Sequence, residues 1–404
     1  SGIADVFLLH DRDILTRNDD SVVRRIAGDV VIMRRSRGYA PEPIAVGQNV
    51  QGVIACGPML KNCVAVGRGE LCYVSQHIGE LMNLETYRSL EQTAAKLCGM
   101  LKVEPALAAC DMHPGYASTR FAESLGLPVV RVQHHHAHIA ACMAEDGLHE
   151  RVIGVAFDGT GYGEDGHTWG GEVLVADRSG YERVGHLGYM KMPGGDAAVE
   201  HPGRMALGAL FPLLGRDAAR AVPWMDEAEA EAVLELLERG VNTPLTAGMG
   251  RLFDAASALL GVCTRATFEG QPAIELEGIA DPNAEGSYPV ELIDKNGQLE
   301  VDGATILAAA CEDRDSRVAV PTIAGRFHNT IAGLLLEYAR AVRDRTGLRH
   351  VCLSGGCFQN ALLLERSVLR LAEEEFVVHR HRLVPPNDGC VALGQMVVAV
   401  NSKG

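Results

Sequence analysis

The 404-residue chain is 47% hydrophobic and 22% charged, the composition of a globular protein with room for about two to three domains. Its net charge of −15 disfavours nucleic acid as the main partner, since phosphate-backbone binding draws on clustered Lys and Arg. No apolar run reaches the roughly 18 residues of a membrane span, no basic-then-apolar leader opens the chain, and eleven cysteines without CxxC spacing argue for buried thiols in a reducing cytoplasm.

In chain order, residues 5–9 and 29–33 read as two short strands separated by the polar stretch 10–21. The basic run Arg34–Tyr39 follows, and Pro41 and Pro43 mark a boundary near residue 45. Two strands cannot bury a core, so residues 1–45 are expected to be the tail of a domain. From residue 46, apolar runs suited to buried strands (127–132, 152–157, 350–354) alternate with helical periodicity (85–101, 251–260, 323–345, 360–374). That alternation predicts an α/β fold, with Asp281–Gly286 as a surface loop.

The densest chemistry lies at Val132-Gln133-His134-His135-His136-Ala137-His138, directly after a strand. If a helix begins there, His134 and His138 stand one turn apart on one face and can share a metal ion. His135 and His136 would point elsewhere, and the plainer alternative is a His-rich capping turn. Two imidazoles seldom complete a site, so carboxylates are needed. Asp158 ends strand 152–157, where the crevice of an open α/β sheet lies, and Asp388 sits in Pro385-Pro386-Asn387-Asp388-Gly389. Either could simply stabilise its turn.

Asp158-Gly159-Thr160-Gly161 and Ser354-Gly355-Gly356-Cys357-Phe358-Gln359-Asn360 both follow strands. Glycines there let backbone amides approach a phosphate, helped by a following helix N-terminus. Neither is a Walker loop or a dinucleotide fingerprint. Two such turns suggest a two-lobed nucleotide fold of the actin and heat-shock ATPase type. Asp254 falls in the first turns of a helix, where a carboxylate needs no function. Cys357 is read as a packing residue ahead of a nucleophile.

Taken together, these segments resemble the HypF family of hydrogenase-maturation carbamoyltransferases. The resemblance covers nearly the whole chain. It rests, in order, on His10–Arg12, Asn18–Val22, Arg34–Pro41, Ser75–Gly79, the histidine cluster and Asp158–Gly161, then on Pro193–Ala198, Gly250–Ala255, Phe327–Thr330, Ser354–Asn360 and Asn387–Gly389. It implies an actin/heat-shock-ATPase-like domain of two lobes (about 46–185 with 385–404, and 186–384) behind the tail of a YrdC-like α/β domain (1–45). In that family, ATP and carbamoyl phosphate give carbamoyl-adenylate in the YrdC-like domain. A second domain, similar to threonylcarbamoyl-tRNA transferases, passes the carbamoyl group to the C-terminal cysteine of HypE. The thiocarbamate later becomes a cyanide ligand of [NiFe]-hydrogenase.

Residue by residue, the resemblance implies His134, His138, Asp158 and Asp388 as ligands of one divalent metal, Fe(II) or Zn(II), the first three being catalytic. It places Gly159, Thr160, Asp254, Gly270, Gly355, Gly356 and Asn360 at ATP, with Mg(II) accompanying the nucleotide. Asp20, Ser21 and Arg34 would belong to the YrdC-like site. The family's acylphosphatase domain, CxxC zinc-finger segment and most of the YrdC-like domain have no match here, so the chain resembles a C-terminal part that should not suffice for the full reaction. Two places depart from the family's wording: Glu200–Arg204, where an Arg and a Trp are expected, and Cys390, where Gly is expected. Rival readings are carbamoylation of a small hydroxylated metabolite, tRNA threonylcarbamoylation, which the net charge disfavours, and a non-catalytic ATP-binding scaffold.

Overall fold

Along Leu107–Asp111, Ala108 and Cys110 face one side and Ala109 the other, and all three are buried, so this strand lies inside a sheet covered on both faces. The computed structural model, which describes residues 4–402, places it in a six-stranded sheet. The strand order is Ile44–Ala45, Leu71–Val74, Ala65–Arg68, Val53–Ala55, Leu107–Asp111 and Val129–Val132, the last three parallel. Helices Leu84–Leu101 and Ala117–Ser124 cover the Ala108 face. Helices His134–Glu145 and Val391–Asn401 cover the Ala109 face.

A nine-stranded sheet carries most of the remainder. Strand Val152–Tyr162 is its centre, antiparallel to Thr168–Ala176 and parallel to His350–Ser354. Tyr181–Leu187, Gln298–Val301 and Ile293–Lys295 extend one side, and Val377–Arg380 closes the other. Helices Pro202–Leu214, Met249–Leu259 and Val320–Thr346 contribute to the largest apolar core, against this sheet.

Helix His134–Glu145 is shared between the sheets. Ala137, Ala140, Ala141 and Ala144 pack in the core of the small sheet, and Ile139, Cys142 and Met143 pack with Val152, Ala156 and Cys352 of the large one. Every residue from His134 to Ala144 is buried, as expected of a helix enclosed on all sides. The contact with the C-terminal helix is close enough to demand glycine: a Cβ on Gly394 would lie 1.8 Å from the Ala137 carbonyl oxygen.

The α/β architecture agrees with the alternation in the sequence, but two details differ. Residues 5–9 form no strand; Val6, Leu8 and Leu9 are exposed. The strand Asp29–Arg34 pairs instead with Val22–Ile26, across a two-residue turn in which Ala27 and Gly28 both have positive φ, the geometry that matches strand twist in a hairpin. Arg24 and Arg25 obscured that strand in the sequence; Arg24 pairs with Glu277 of the large lobe, and Ile26 and Val31 sit in its core. Sheet membership changes between residues 145 and 152, and the hairpin partner 168–176 and strand 181–187 follow 152–162 into the large sheet.

Candidate metal and nucleotide site

Gln133 ends the approach from strand Val129–Val132 and caps the next helix, its side chain accepting from the His136 N–H at 2.9 Å. That fixes the helix start and aligns His134 and His138 on one face. Both turn Nε2 toward Asp158 and Asp388. His134 Nε2 lies 3.5 Å from Asp158 Oδ2 and 3.7 Å from Asp388 Oδ1; His138 Nε2 lies 3.6 and 3.8 Å from the same oxygens. One ligand atom from each of the four side chains falls within 4.8 Å of all the others.

His134 Nε2, His138 Nε2 and Asp158 Oδ2 are buried with no hydrogen-bond partner. Orphaned buried polar atoms are costly, and two imidazole nitrogens converging with two carboxylates form the donor set of a divalent cation. Burial opposes charge on both imidazoles, but Asp111, Asp158 and Asp388 outweigh it at His134, and Cys390 with the same two aspartates outweighs it at His138, so both are raised well above the usual value. Burial likewise opposes ionisation of Asp158 and Asp388, yet the two imidazoles win: Asp158 is held well below its ordinary value and Asp388 at about 2.

His134 is oriented from behind by Asp111 Oδ2, 2.7 Å from its Nδ1. The sequence reading missed Asp111; its only signal was a carboxylate at the end of a buried strand. The other two histidines serve the scaffold. His136 Nε2 donates to the Asp177 carbonyl at 2.7 Å, and His135 lies over Trp169.

Asp158 and Asp388, but not the two histidines, line a cavity of about 450 Å³. Gly159, Asp254, Gly270, Gly356 and Asn360 line it, as do Lys61, Arg251 and Glu277, which the sequence reading did not single out. Arg251 Nη1 lies 2.9 Å from Asp254 Oδ2. Burial raises Asp254 to about 6, with Arg251 pulling the other way. Lys61 enters from the small-sheet side and reaches Glu269 Oε2 at 2.5 Å. Its loop is pinned by buried Asn62, whose side-chain amide donates to the carbonyls of Cys56 and Pro58, and Lys61 itself takes a left-handed φ of 44°, an expensive conformation for a residue with a side chain.

Not every expected residue is here. Thr160 is exposed, and neither it nor Gly355 lines the cavity. The helix expected after Asp158-Gly159-Thr160-Gly161 is absent: the segment continues strand Val152–Tyr162 into a hairpin. Gly161 is required because a Cβ would meet the His135 ring at 2.4 Å, and Gly355 because one would meet the Phe157 carbonyl at 2.2 Å. Asp20, Ser21 and Arg34 lie outside the cavity; Asp20 pairs with Arg37, and the Ser21 hydroxyl donates to the Arg37 carbonyl while accepting the Ser36 N–H. Burial drives the Cys357 thiol well above its ordinary value, which disfavours the thiolate. Among the described residues no helix is long and apolar enough to cross a membrane.

The profile of the HypF Kae1-like domain matches residues 48–145, and that of the carbamoyltransferase Kae1-like domain, second subdomain, matches residues 154–395. The carbamoyltransferase HypF of Synechocystis sp. is 38% identical over 421 residues, covering 99% of this chain and 54% of the relative. A carbamoyltransferase HypF homolog of Cupriavidus necator is 37% identical over 372 residues, covering 89% of this chain and 94% of its own. A crystal structure of full-length HypF in a phosphate- and nucleotide-bound form superposes with a TM-score of 0.94 at 42% identity, over 98% of this chain and 63% of that one. The chain spans about half the length of the Synechocystis relative and of most other curated relatives it matches. It belongs to the HypF carbamoyltransferase family.

Proposed function

We propose that this chain transfers the carbamoyl group of carbamoyl-adenylate to the C-terminal cysteine thiolate of HypE, in the synthesis of the hydrogenase cyanide ligand. The observation that carries the reading is the pair of unpartnered imidazole nitrogens facing two carboxylates that also line a cavity of about 450 Å³. His134, His138, Asp158 and Asp388 would hold a divalent cation, Fe(II) or Zn(II), which when bound supplies Lewis acidity toward an oxygen of the mixed anhydride. Everything else falls to the side chains around it.

Lys61 and Arg251 bring positive charge to the cavity, suited to the adenylate phosphate as negative charge builds on it. Asp254 offers an acceptor for ribose hydroxyls, and Gly159, Gly270 and Gly356 leave room for close backbone approach. In the transfer a C–S bond forms at the carbamoyl carbon, the C–O bond to phosphate breaks, and AMP leaves with the electron pair. The nucleophile comes from the partner, in keeping with the burial that disfavours a Cys357 thiolate. ATP enters through the adenylate, and carbamoyl phosphate is the carbamoyl source of the longer family members.

The test offers the metal-loaded chain carbamoyl-adenylate with either a HypE C-terminal peptide or a panel of small hydroxylated acceptors. Mass spectrometry should find one carbamoyl group on the peptide cysteine. Carbamoylation of a hydroxyl acceptor alone would replace HypE with a metabolite, and no transfer to either would leave a nucleotide-binding scaffold. Lys61→Ala in the same assay should raise KM about tenfold, the value of one charge-assisted hydrogen bond of roughly 1.5 kcal/mol. An unchanged KM would remove Lys61 from the site.

A further inference from the structure

His138 can present Nε2 to a cation only with its proton on Nδ1 and an acceptor fixed in front of that nitrogen. His134 solves the problem in one step through Asp111. No carboxylate bonds to His138 Nδ1 directly. Instead Ser354 Oγ lies 3.0 Å from it. Ser354 Oγ is 2.8 Å from His381 Nε2, and His381 Nδ1 donates to Glu145 Oε1 at 2.5 Å. The other Glu145 oxygen accepts the backbone N–H groups of Arg382 and Leu383 at 2.8 and 2.6 Å.

We propose that Glu145, His381 and Ser354 form a buried positioning chain that sets the tautomer and ring orientation of His138 for metal ligation. The proposal rests on reading the four-residue cluster as a metal centre. Glu145 is the last residue of the helix that carries His138 in its first turns; seven residues apart, they share a face about 10 Å long. Ser354, at the end of strand His350–Ser354, and His381, just after strand Val377–Arg380, span that distance along the helix. His138, Ser354 and His381 are at most 2% exposed, and the Glu145 side chain 1%, so water cannot substitute for a missing link. A buried Glu-His-Ser string of this order resembles a nucleophile triad, but Ser354 does not line the cavity and meets His138 instead of a substrate. Cys390 Sγ, 3.2 Å from the same Nδ1, is the competing acceptor.

The whole chain is titrated with Co(II), following its visible absorption bands, beside thermal unfolding of the metal-free protein. Glu145→Gln and Ser354→Ala should each weaken Co(II) binding about tenfold and shift the bands, as loss of an outer partner does. The double variant should be no weaker than either single one, because both cut the same string. His379→Gln, which loses contacts only to Asp146 and His350, should leave affinity unchanged. Unchanged Co(II) affinity in Glu145→Gln and Ser354→Ala overturns the proposal, as do losses that add. So does loss in Cys390→Gly with none in Ser354→Ala. Should Glu145→Gln fail to fold, Ser354→Ala, the loss of one oxygen, carries the test. Failure of wild type to bind Co(II), or binding unaffected by Asp158→Asn, would sink the metal centre itself; binding lost in Asp158→Asn but intact in Glu145→Gln sinks only the positioning chain.

Discussion

Asp158→Asn should empty the cation site and reduce carbamoyl transfer by about a thousandfold, the several kcal/mol that metal-assisted charge stabilisation provides. The substitution keeps shape, and an amide oxygen can still accept the Gly356 N–H that Asp158 Oδ1 now takes at 3.0 Å. What disappears is the charge that the two buried imidazoles face. Bound metal, read by elemental analysis, is the first measurement, and transfer rate the second. Full metal content in this variant would show that Asp158 is not a ligand.

The same charges fix a pH dependence. In the metal-free protein, Asp158 and Asp388 have lowered values, so their contribution to stability is complete above the ordinary carboxylate range and is lost as pH falls toward about 2. His134 and His138 are raised, so theirs is complete below the ordinary imidazole value and is lost as pH rises through the raised values. Metal competes with protons for those imidazoles, so metal affinity should increase as pH rises through the ordinary imidazole value toward the raised ones. The reverse order would exclude the imidazoles as ligands.

Gly394→Ala is the second large effect, and it acts on the scaffold. The added methyl would have to occupy space 1.8 Å from a helix carbonyl, which cannot rotate away as a side chain can. The two helices must separate, at a cost of roughly 3 kcal/mol or more. Because Ala137 lies between the two histidines of the cluster, loss of stability should come with weaker metal binding. Gly278→Ala is the contrast: it lies in helix Gln271–Ile279 with nothing within 4 Å of the new methyl, and should gain about 0.5–1 kcal/mol from helix propensity alone. Chemical denaturation of the two variants checks both, and equal melting would refute the close-contact account.

How far the site could be read from sequence follows from how local each feature is. The i, i+4 relation of His134 and His138 needs only one helical turn, and so it was legible. Asp158 could be proposed from its strand end, and Asp388 from its turn and the family likeness, but their approach to the histidines is tertiary. Lys61 and Arg251 carry no local mark, and Asp111 only that of a carboxylate at a strand end; the fold gives them meaning by bringing the first two to the cavity and the third behind His134. The glycines after Asp158 misled because a phosphate loop and a hairpin squeezed beneath imidazole rings require the same absent side chain. Residues 5–9 show the converse, an apolar run that reads as a strand yet has no neighbour to bond.

Helix His134–Glu145 packs in the cores of both sheets, so its histidines cannot shift without disturbing both. The Lys61–Glu269 pair, with side chains 30% and 52% exposed, is by contrast a solvent-facing contact worth less than about 1 kcal/mol. Redirecting the Lys61 ammonium toward an anion in the cavity therefore costs little, while the imidazoles keep their places.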